Sequence, residues 1–408
     1  KNKPRVFANT VSIKNTNSEF DKSIFTLCDY RENDKCPPWS VQASNMRHDN
    51  KKKTIYYDNA LIKVYDIPIF YFPKLSHPDP SVDRRTGFLP PSFIDTKNLG
   101  EGISIPYYWN IGKDRDLTFT NKLFLDENPL FLGEYRQAFK NTNLIFDFGY
   151  SEGYKNTTDT KTAGSKSHFF SKIINNFQGK NNSDNNLKLT VQKVSDNKHL
   201  KLYRIDTNLV KYETDTLENT LDFSHSNEDL FLGFRASAYE TLTDTYNDKY
   251  EYILPDVVFS KNIFSSDKLG IADFQSNLKI HNYDTNKLAK FFINDINWKA
   301  KNFNFESGLT GQFLGKIKNV NYESINISNY KDNTTSELFG ALGYLTELDL
   351  IKENDLSKHT LTPKILLRYA PGHMRNETNK LRLKHSNVFS LDRLNTANNF
   401  ENGLSSSI

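Results

Sequence analysis

The sequence predicts an all-β protein, in which a shorter strand-rich part precedes a large antiparallel β-barrel. Aromatic residues make up 13% of the 408 residues, although only 37% are hydrophobic and the mean hydropathy is −0.65. That combination suits many strands with one apolar and one polar face. Apolar and polar residues alternate over stretches of about ten residues, and helical signals are sparse.

Composition also limits the possible classes of partner. The net charge is +4 and is spread along the chain without a basic arm, so we predict no nucleic acid partner. No run of about 18 apolar residues occurs, which argues against a transmembrane helix and leaves a membrane barrel open. The chain begins at Lys1 without a signal peptide and ends part-way through an expected strand, so we expect a fragment.

The N-terminal region contains short strands separated by polar turns. Trp39, Val41 and Ala43 alternate with polar residues, as expected of a strand with one apolar face. In the segment that follows the turn 48–53, apolar residues occupy both odd and even positions, so both faces of a strand would be apolar. We interpret it as a strand that is packed on one face and covered on the other.

The region from Leu117 onward has a regular period of two. Leu144, Phe146, Phe148 and Tyr150 alternate with other residues, and later stretches repeat the pattern. At roughly 20 residues per strand and loop, the region after residue 100 holds about a dozen to fifteen strands. Open twisted sheets rarely exceed about ten strands, so we expect closure into a barrel.

Motifs for catalysis or metal binding are absent from the sequence. No G-x-S-x-G, H-E-x-x-H or phosphate-binding loop occurs in its required context. His199 and His225 lie near serines and aspartates, as in a barrel-embedded hydrolase, but these residue types are abundant throughout. We predict no enzyme activity, no metal and no cofactor.

Two cysteines, Cys28 and Cys36, leave several possibilities open. A local disulfide fits an oxidising compartment. A zinc site, two free thiols, or bonds to cysteines outside this chain are the alternatives.

The segment 66–109 is rich in proline and aromatic residues, which no central strand tolerates at this density. Pro91 and Pro106 fall near the starts of two expected neighbouring strands. Each proline lacks an N–H and removes a rung from its ladder, so a barrel seam at this place would be weak enough to open sideways. From the residues alone, both prolines are also compatible with ordinary strand starts, where proline is tolerated.

The same segment resembles the LPS-assembly protein LptD family. The resemblance rests on three motifs, which are, in order, Asp66 to Pro73, Arg85 to Pro91 and Pro106 to Ile111. The stretch from Cys28 to Trp39 and the downstream SDNKHLKLY, PKILLRYAPGH and VFSLDRL are also similar to that family. The resemblance covers essentially the whole chain and is densest in residues 36 to 115.

The resemblance implies the C-terminal portion of a periplasmic β-jelly roll in residues 1–85 and a truncated outer-membrane β-barrel in residues 86–408. It implies transport of lipopolysaccharide and its insertion into the outer leaflet. Pro91 and Pro106 match the family's kink prolines and would form a lateral gate. An apolar jelly-roll groove for acyl chains would be lined by Trp39, Val41, Ile55, Tyr57, Ile67, Ile69 and Tyr71.

The implied partners are lipopolysaccharide, the plug lipoprotein LptE, the periplasmic bridge protein LptA and the barrel-assembly machinery. The implied location is the outer membrane of a Gram-negative bacterium, with the N-terminal part in the periplasm. Family disulfides span long sequence distances, and without a third cysteine a Cys28–Cys36 bond is the simplest expectation. The N-terminal jelly roll is shorter than the family's.

Some expectations stay open at the level of sequence. Arg84 and Arg85 either contact phosphate groups or brace the joint between the two parts. The rival functions are an outer-membrane barrel enzyme of the phospholipase type and a soluble β-rich surface binding protein.

Overall fold

A computed structural model describes residues 4–14, 16–27, 39–64, 67–82, 84–153, 164–244, 248–328, 330–354, 357–372, 383–394, 397 and 399–408. The chain divides into two compact units. One comprises residues 1–89 and 107–111, and the other comprises residues 90–106 and 112–408.

The first unit contains a six-stranded antiparallel sheet in the order β1-β3-β4-β5-β6, with β2 paired to β3. A short strand, β7, follows it. Their bounds are β1 Arg5–Phe7, β2 Thr10–Lys14, β3 Asn17–Thr26, β4 Trp39–Asp49, β5 Thr54–Val64, β6 Ile67–Pro78 and β7 Gly87–Phe88.

One face of this sheet carries an apolar cluster. Its buried members are Phe25, Val41, Ala43, Met46, Ile55, Tyr57 and Ala60. They come from three adjacent strands, β3 to β5, and side chains on alternate positions share a face. Val41 and Ala43, and likewise Ile55 and Tyr57, follow that period, which changes by one residue before Met46 and Ala60.

Strand β7 also belongs to a closed antiparallel barrel, which continues in chain order through the strands from β8 onward, apart from β23 and β24. Their bounds are β8 Ser92–Thr96, β9 Gly100–Asn110, β10 Arg115–Phe124, β11 Leu130–Ala138, β12 Thr142–Ser151, β13 Lys166–Gln178, β14 Asp184–Val194, β15 Thr216–Ser226, β16 Leu230–Thr241, β17 Tyr250–Ser266, β18 Gly270–Tyr283, β19 Lys287–Lys299, β20 Phe303–Asn304, β21 Leu309–Ile325, β22 Thr335–Leu348, β25 Lys364–Ala370 and β26 Gly403–Ser407. A separate hairpin pairs β23 Leu350–Asn354 with β24 Ser357–Leu361.

The barrel wall exposes apolar side chains and buries their neighbours. On β25, Leu367 and Tyr369 are 52% and 55% exposed, whereas Leu366 and Arg368 are 0% and 1% exposed. Because successive side chains point to opposite faces, one face of the wall is apolar and exposed and the other is covered. This arrangement is the reverse of a water-soluble sheet, whose exposed face is polar.

Helical structure is confined to α1, His199–Tyr203, and a 3-10 turn, Lys180–Asn182, within the described parts of the chain. In those parts no helix has the length and apolar character needed to cross a membrane.

Strands β9 and β10 approach closely at Gly102. A Cβ at this position would lie 2.5 Å from the carbonyl oxygen of Leu123, and the Leu125 N–H donates to the carbonyl of Glu101 at 3.1 Å. Glycine is therefore required sterically where these two strands meet.

The substitution Gly102→Ala should weaken this contact, since backbone atoms would have to move apart. We expect a destabilisation of about 1–3 kcal/mol, measured by the thermal unfolding midpoint in detergent. Gly340→Ala is the matched control, because its added Cβ meets only the Lys316 carbonyl oxygen at 3.7 Å. Equal midpoints for the two variants would contradict the steric argument.

Candidate functional site

Pro91 and Pro106 lie beside a break in one ladder. Strand β9 pairs with β8 from Gly100 to Ser104 and with β7 at Tyr107 and Tyr108. Between β7 and β8, residues 89–91 belong to no strand. Pro91 immediately precedes β8, but Pro106 lies within β9, beyond the middle of the strand, and not near its start as the sequence predicted.

The physical reason for this position is the length of β9, which continues through the proline to pair with a second strand. Proline has no N–H to leave unpaired, so it tolerates a place where the ladder is interrupted. The division between the two compact units crosses the chain at 89/90 and 106/107, next to the same break.

The two arginines of the junction bind protein acceptors in the first unit. Arg84 donates through Nε to the Tyr108 hydroxyl at 2.9 Å. Arg85 donates through Nη1 to the carbonyl of Lys53 at 3.1 Å and also to the hydroxyl of Thr54. Both arginines therefore make structural hydrogen bonds within the first unit.

The predicted groove residues divide into buried and exposed groups. Val41, Ile55 and Tyr57 are 5%, 4% and 1% exposed, and Trp39 packs against the same cluster. Ile67 and Ile69 lie on β6 and are 61% and 49% exposed. Burial raises the pKa of the Tyr57 phenol, whose oxygen lies 2.7 Å from Nε2 of His77.

Tyr71 does not share the face of the cluster, which corrects the sequence-based grouping. Its neighbours Phe70 and Phe72 pair with Ile62 and Ala60, which belong to or pack against the cluster. The cause lies in β5, where the buried positions change parity between Tyr57 and Ala60 across Asn59, whose φ is +51°, because a local distortion of one strand reverses the side-chain parity. Phe70 and Phe72 are thus groove candidates that the sequence analysis missed.

The predicted cysteine pairing lies outside the described residues. Cys28 and Cys36 both fall in the segment 28–38, so a bond between them stays a prediction.

A segment inside the barrel, residues 195–215, is the second feature of the site, and we call it the lumen segment. It includes α1 and contributes four buried side chains to an apolar cluster. The buried members of this cluster are Leu99, Leu130, Phe170, Val194, Leu200, Tyr203, Ile205, Val210 and Leu217.

Polar contacts show on which side of the wall the lumen segment lies. Lys122 of β10 donates to the Tyr203 carbonyl at 3.2 Å, and the Tyr203 hydroxyl donates to Ser151 of β12 at 2.9 Å. Asn208 donates to Glu134 of β11 at 2.7 Å. A short segment that touches several consecutive strands of a closed barrel lies on the concave side.

Two histidines meet where the lumen segment contacts β13. Nδ1 of His168 lies 3.1 Å from Nε2 of His199, and Nε2 of His168 lies 3.4 Å from a carboxylate oxygen of Asp147. Nearby, Lys166 pairs with Asp196 at 3.0 Å. Burial, reinforced by the neighbouring His168, lowers the pKa of His199 to about 3.

Residues 383–394 and 399–402 form a second covered region against β21, β22 and β25. The Arg368 guanidinium donates to the carbonyls of Leu391 and Glu401, each at 2.6 Å, and lies 5.0 Å from the Phe400 ring centroid. Lys318 pairs with Asp392 at 2.7 Å. Lys318 and Asp392 compensate each other's charge, as burial in low dielectric requires.

The histidines considered for hydrolysis are separate in the structure. His199 faces His168, whereas Nδ1 of His225 lies 2.7 Å from Oδ1 of Asn185. Among the described residues, no group of three or more His, Cys, Asp or Glu side chains is arranged to hold a metal ion.

These features define a class of protein. A closed antiparallel barrel whose exposed face is apolar is the architecture of barrels that span outer membranes. An interrupted ladder and inward-folded segments are its particular features here.

Comparison with curated proteins identifies the relatives. The chain is a partial match to LPS-assembly proteins LptD. It is 36% identical over 121 residues to that of Nitrosococcus oceani, covering 29% of this chain and 15% of the relative. It is 27% identical over 257 residues to that of Shewanella oneidensis, covering 61% and 31%.

A third relative, LptD of Francisella tularensis subsp. novicida, is 34% identical over 104 residues, covering 25% of this chain and 12% of the relative. The matches thus span less than a third of the length of these relatives. No protein-family model matches the chain. A bacterial polysaccharide outer membrane secretin overlaps 69% of this chain and 88% of its own at 10% identity, with a TM-score of 0.24, which is too low to establish a shared fold.

Sequence patterns did not predict that the lumen segment packs inside the barrel. Its only signal was the motif SDNKHLKLY, in which Leu200 and Tyr203 stand out as apolar residues within a polar loop. Such residues in a long loop indicate that the loop packs against something, but not against what.

Acidification should loosen the lumen segment. The folded pKa of His199 is about 3 and the unfolded value is about 6.5, so the unfolded state binds more protons between these values. The stability that neutral, buried His199 contributes to the folded state is fully present above about pH 6.5, and it is lost progressively as the pH falls towards 3.

Hydrogen exchange of amides 199–205 should therefore accelerate between pH 7 and pH 4, after correction for the intrinsic rate. His199→Phe, which has no proton to gain, should abolish that dependence. An NMR titration that placed the His199 pKa near 6.5 would contradict the burial argument.

Proposed function

We propose that this chain takes part in transporting lipopolysaccharide and inserting it into the outer leaflet of the outer membrane. The observation that carries the proposal is the barrel wall, with its exposed apolar face, together with an interrupted ladder at Pro91 and Pro106. The partial match to LPS-assembly proteins LptD supports the same function.

The proposed route follows from the chemistry of an amphiphile. Acyl chains need an apolar surface, and residues 1–85 would supply it as part of a periplasmic jelly roll. The saccharide needs a polar passage, which the interior of the barrel in residues 86–408 would supply. Lateral exit needs a seam that separates at low cost, and a ladder with rungs missing at the prolines meets that need.

The predicted gate and groove differ in how the geometry supports them. Pro91 and Pro106 meet at a single break in the ladder, which supports a gate there. For the groove, the support comes from β6, where Phe70 and Phe72 are 47% and 38% exposed on the side of the apolar cluster. A surface with exposed aromatic rings above a buried cluster suits acyl chains.

The proposed partners are lipopolysaccharide, the plug lipoprotein LptE, the bridge protein LptA and the barrel-assembly machinery. They rest on the resemblance to LptD. We propose no catalytic role, and no observation favours the phospholipase-type or soluble alternatives.

Photo-crosslinking can test the groove with a built-in control. A benzoylphenylalanine at Phe70 or Phe72 should capture lipopolysaccharide in cells, because both lie on the cluster side of β6. The same probe at Tyr71 should capture little, since this residue is 59% exposed but lies on the opposite face. Equal adducts at Phe72 and Tyr71 would contradict a one-sided groove.

Restoring backbone donors should tighten the gate. The double variant Pro91→Ala/Pro106→Ala offers up to two new rungs, at about 1 kcal/mol each. We expect lipopolysaccharide delivery to the outer leaflet to fall. Pro363→Ala is the control, because Pro363 immediately precedes β25 as Pro91 precedes β8. Unchanged delivery in the double variant, or an equal loss in the control, would remove the gate role of the two prolines.

A further inference from the structure

The turn that joins β8 to β9 is fastened to the barrel interior. Lys97 and Asn98 of this turn are exposed, as turn residues usually are, but Leu99 is only 2% exposed. The Leu99 N–H donates to the Thr96 hydroxyl at 3.1 Å, which fixes the turn. Leu99 belongs to the same buried cluster as Leu200 of the lumen segment.

The lumen segment also fastens β10, the next strand along the chain. The last carbonyls of a helix have no partner within it, and the Lys122 ammonium donates to those of Tyr203 and Arg204 at 3.2 Å and 3.5 Å. The Phe124 ring lies 6.2 Å from that of Tyr203. One short segment thus contacts β10 and shares a cluster with the neighbouring turn.

The far side of the lumen segment is anchored away from the gate. His199 meets His168 on β13, Asp196 pairs with Lys166, and Asn197 donates to the Thr243 carbonyl at 2.5 Å. The segment therefore links the β8–β9 turn to strands that are remote from the proline break. It is a brace between a short hairpin and the rest of the wall.

We infer that the lumen segment is a latch on the β8–β9 hairpin, with Leu99 and Lys122 as positioning residues for lateral opening. The inference rests on the proposed function for its purpose, but not for its geometry. The hairpin has an interrupted ladder at its base and only five paired positions along its length. Its tip is held by burial of Leu99, so the hairpin swings outwards only when Leu99 leaves the cluster.

Hydrogen exchange by mass spectrometry on the full chain in phospholipid nanodiscs tests the latch. Leu99→Ala should accelerate exchange in residues 92–104 by on the order of tenfold, since local opening no longer breaks this contact. Leu217→Ala is the matched control, because Leu217 is fully buried in the same cluster but lies on β15. It should lower the unfolding midpoint to a similar extent and leave exchange in 92–104 unchanged.

Equal acceleration of residues 92–104 in both leucine variants would overturn the latch, because the effect would then be general loosening of the cluster. Lys122→Met provides a second route if Leu99→Ala does not fold. It keeps an apolar stem but loses the ammonium, and it should also accelerate exchange in 92–104. Wild-type rates there in a folded Lys122→Met protein would count against the positioning role of Lys122 and overturn the paired assignment.

Purified lipopolysaccharide separates this inference from the proposed function. It should accelerate exchange in 92–104 of the wild type and add little in Leu99→Ala, where the latch is already released. Suppose that exchange in 92–104 is accelerated in Leu99→Ala but does not change when lipopolysaccharide is added to the wild type. This result would support the latch and contradict the transport proposal. If lipopolysaccharide accelerates exchange in the wild type but Leu99→Ala exchanges no faster than the wild type, the result would support transport and overturn the latch.

Discussion

The backbone ladder of the barrel is the constraint on which the rest of the second unit depends. Where a wall faces hydrocarbon, every N–H must find a partner within the sheet, because no water can replace it. An interruption is therefore costly at most residues. Pro106 reduces the cost within β9, because proline has no donor to leave unpaired. The chemistry of this residue allows a local interruption of the ladder.

Contacts in the interior of the barrel stabilise the wall against the cost of the interrupted ladder. The lumen segment buries Leu200, Tyr203 and Ile205 against the inner wall, although the loop around them is polar. Their burial recovers apolar free energy that an exposed loop would lose. The accompanying charges are paired, as in Lys166 with Asp196, since an unpaired buried charge would offset that gain.

In the first unit, a small local change in strand geometry alters which side chains lie on the face of the apolar cluster. The parity change between Tyr57 and Ala60 on β5 places Phe70 and Phe72, and not Tyr71, on the side of the apolar cluster. Simple alternation predicted the opposite. Arg85 meanwhile binds the turn before β5 through the Lys53 carbonyl, so a residue considered for phosphate recognition is occupied by the protein's own backbone.

The sequence by itself determined the all-β class, the alternating barrel strands and the two prolines, because period-two patterns and the missing proline donor are local properties. Only the tertiary structure decided which face Tyr71 occupies, how far β9 extends beyond Pro106, and that Leu99 is buried beneath the lumen segment. These outcomes depend on a parity change within one strand and on a cluster that joins residues about a hundred positions apart, such as Leu99 and Leu200, and no local pattern encodes them.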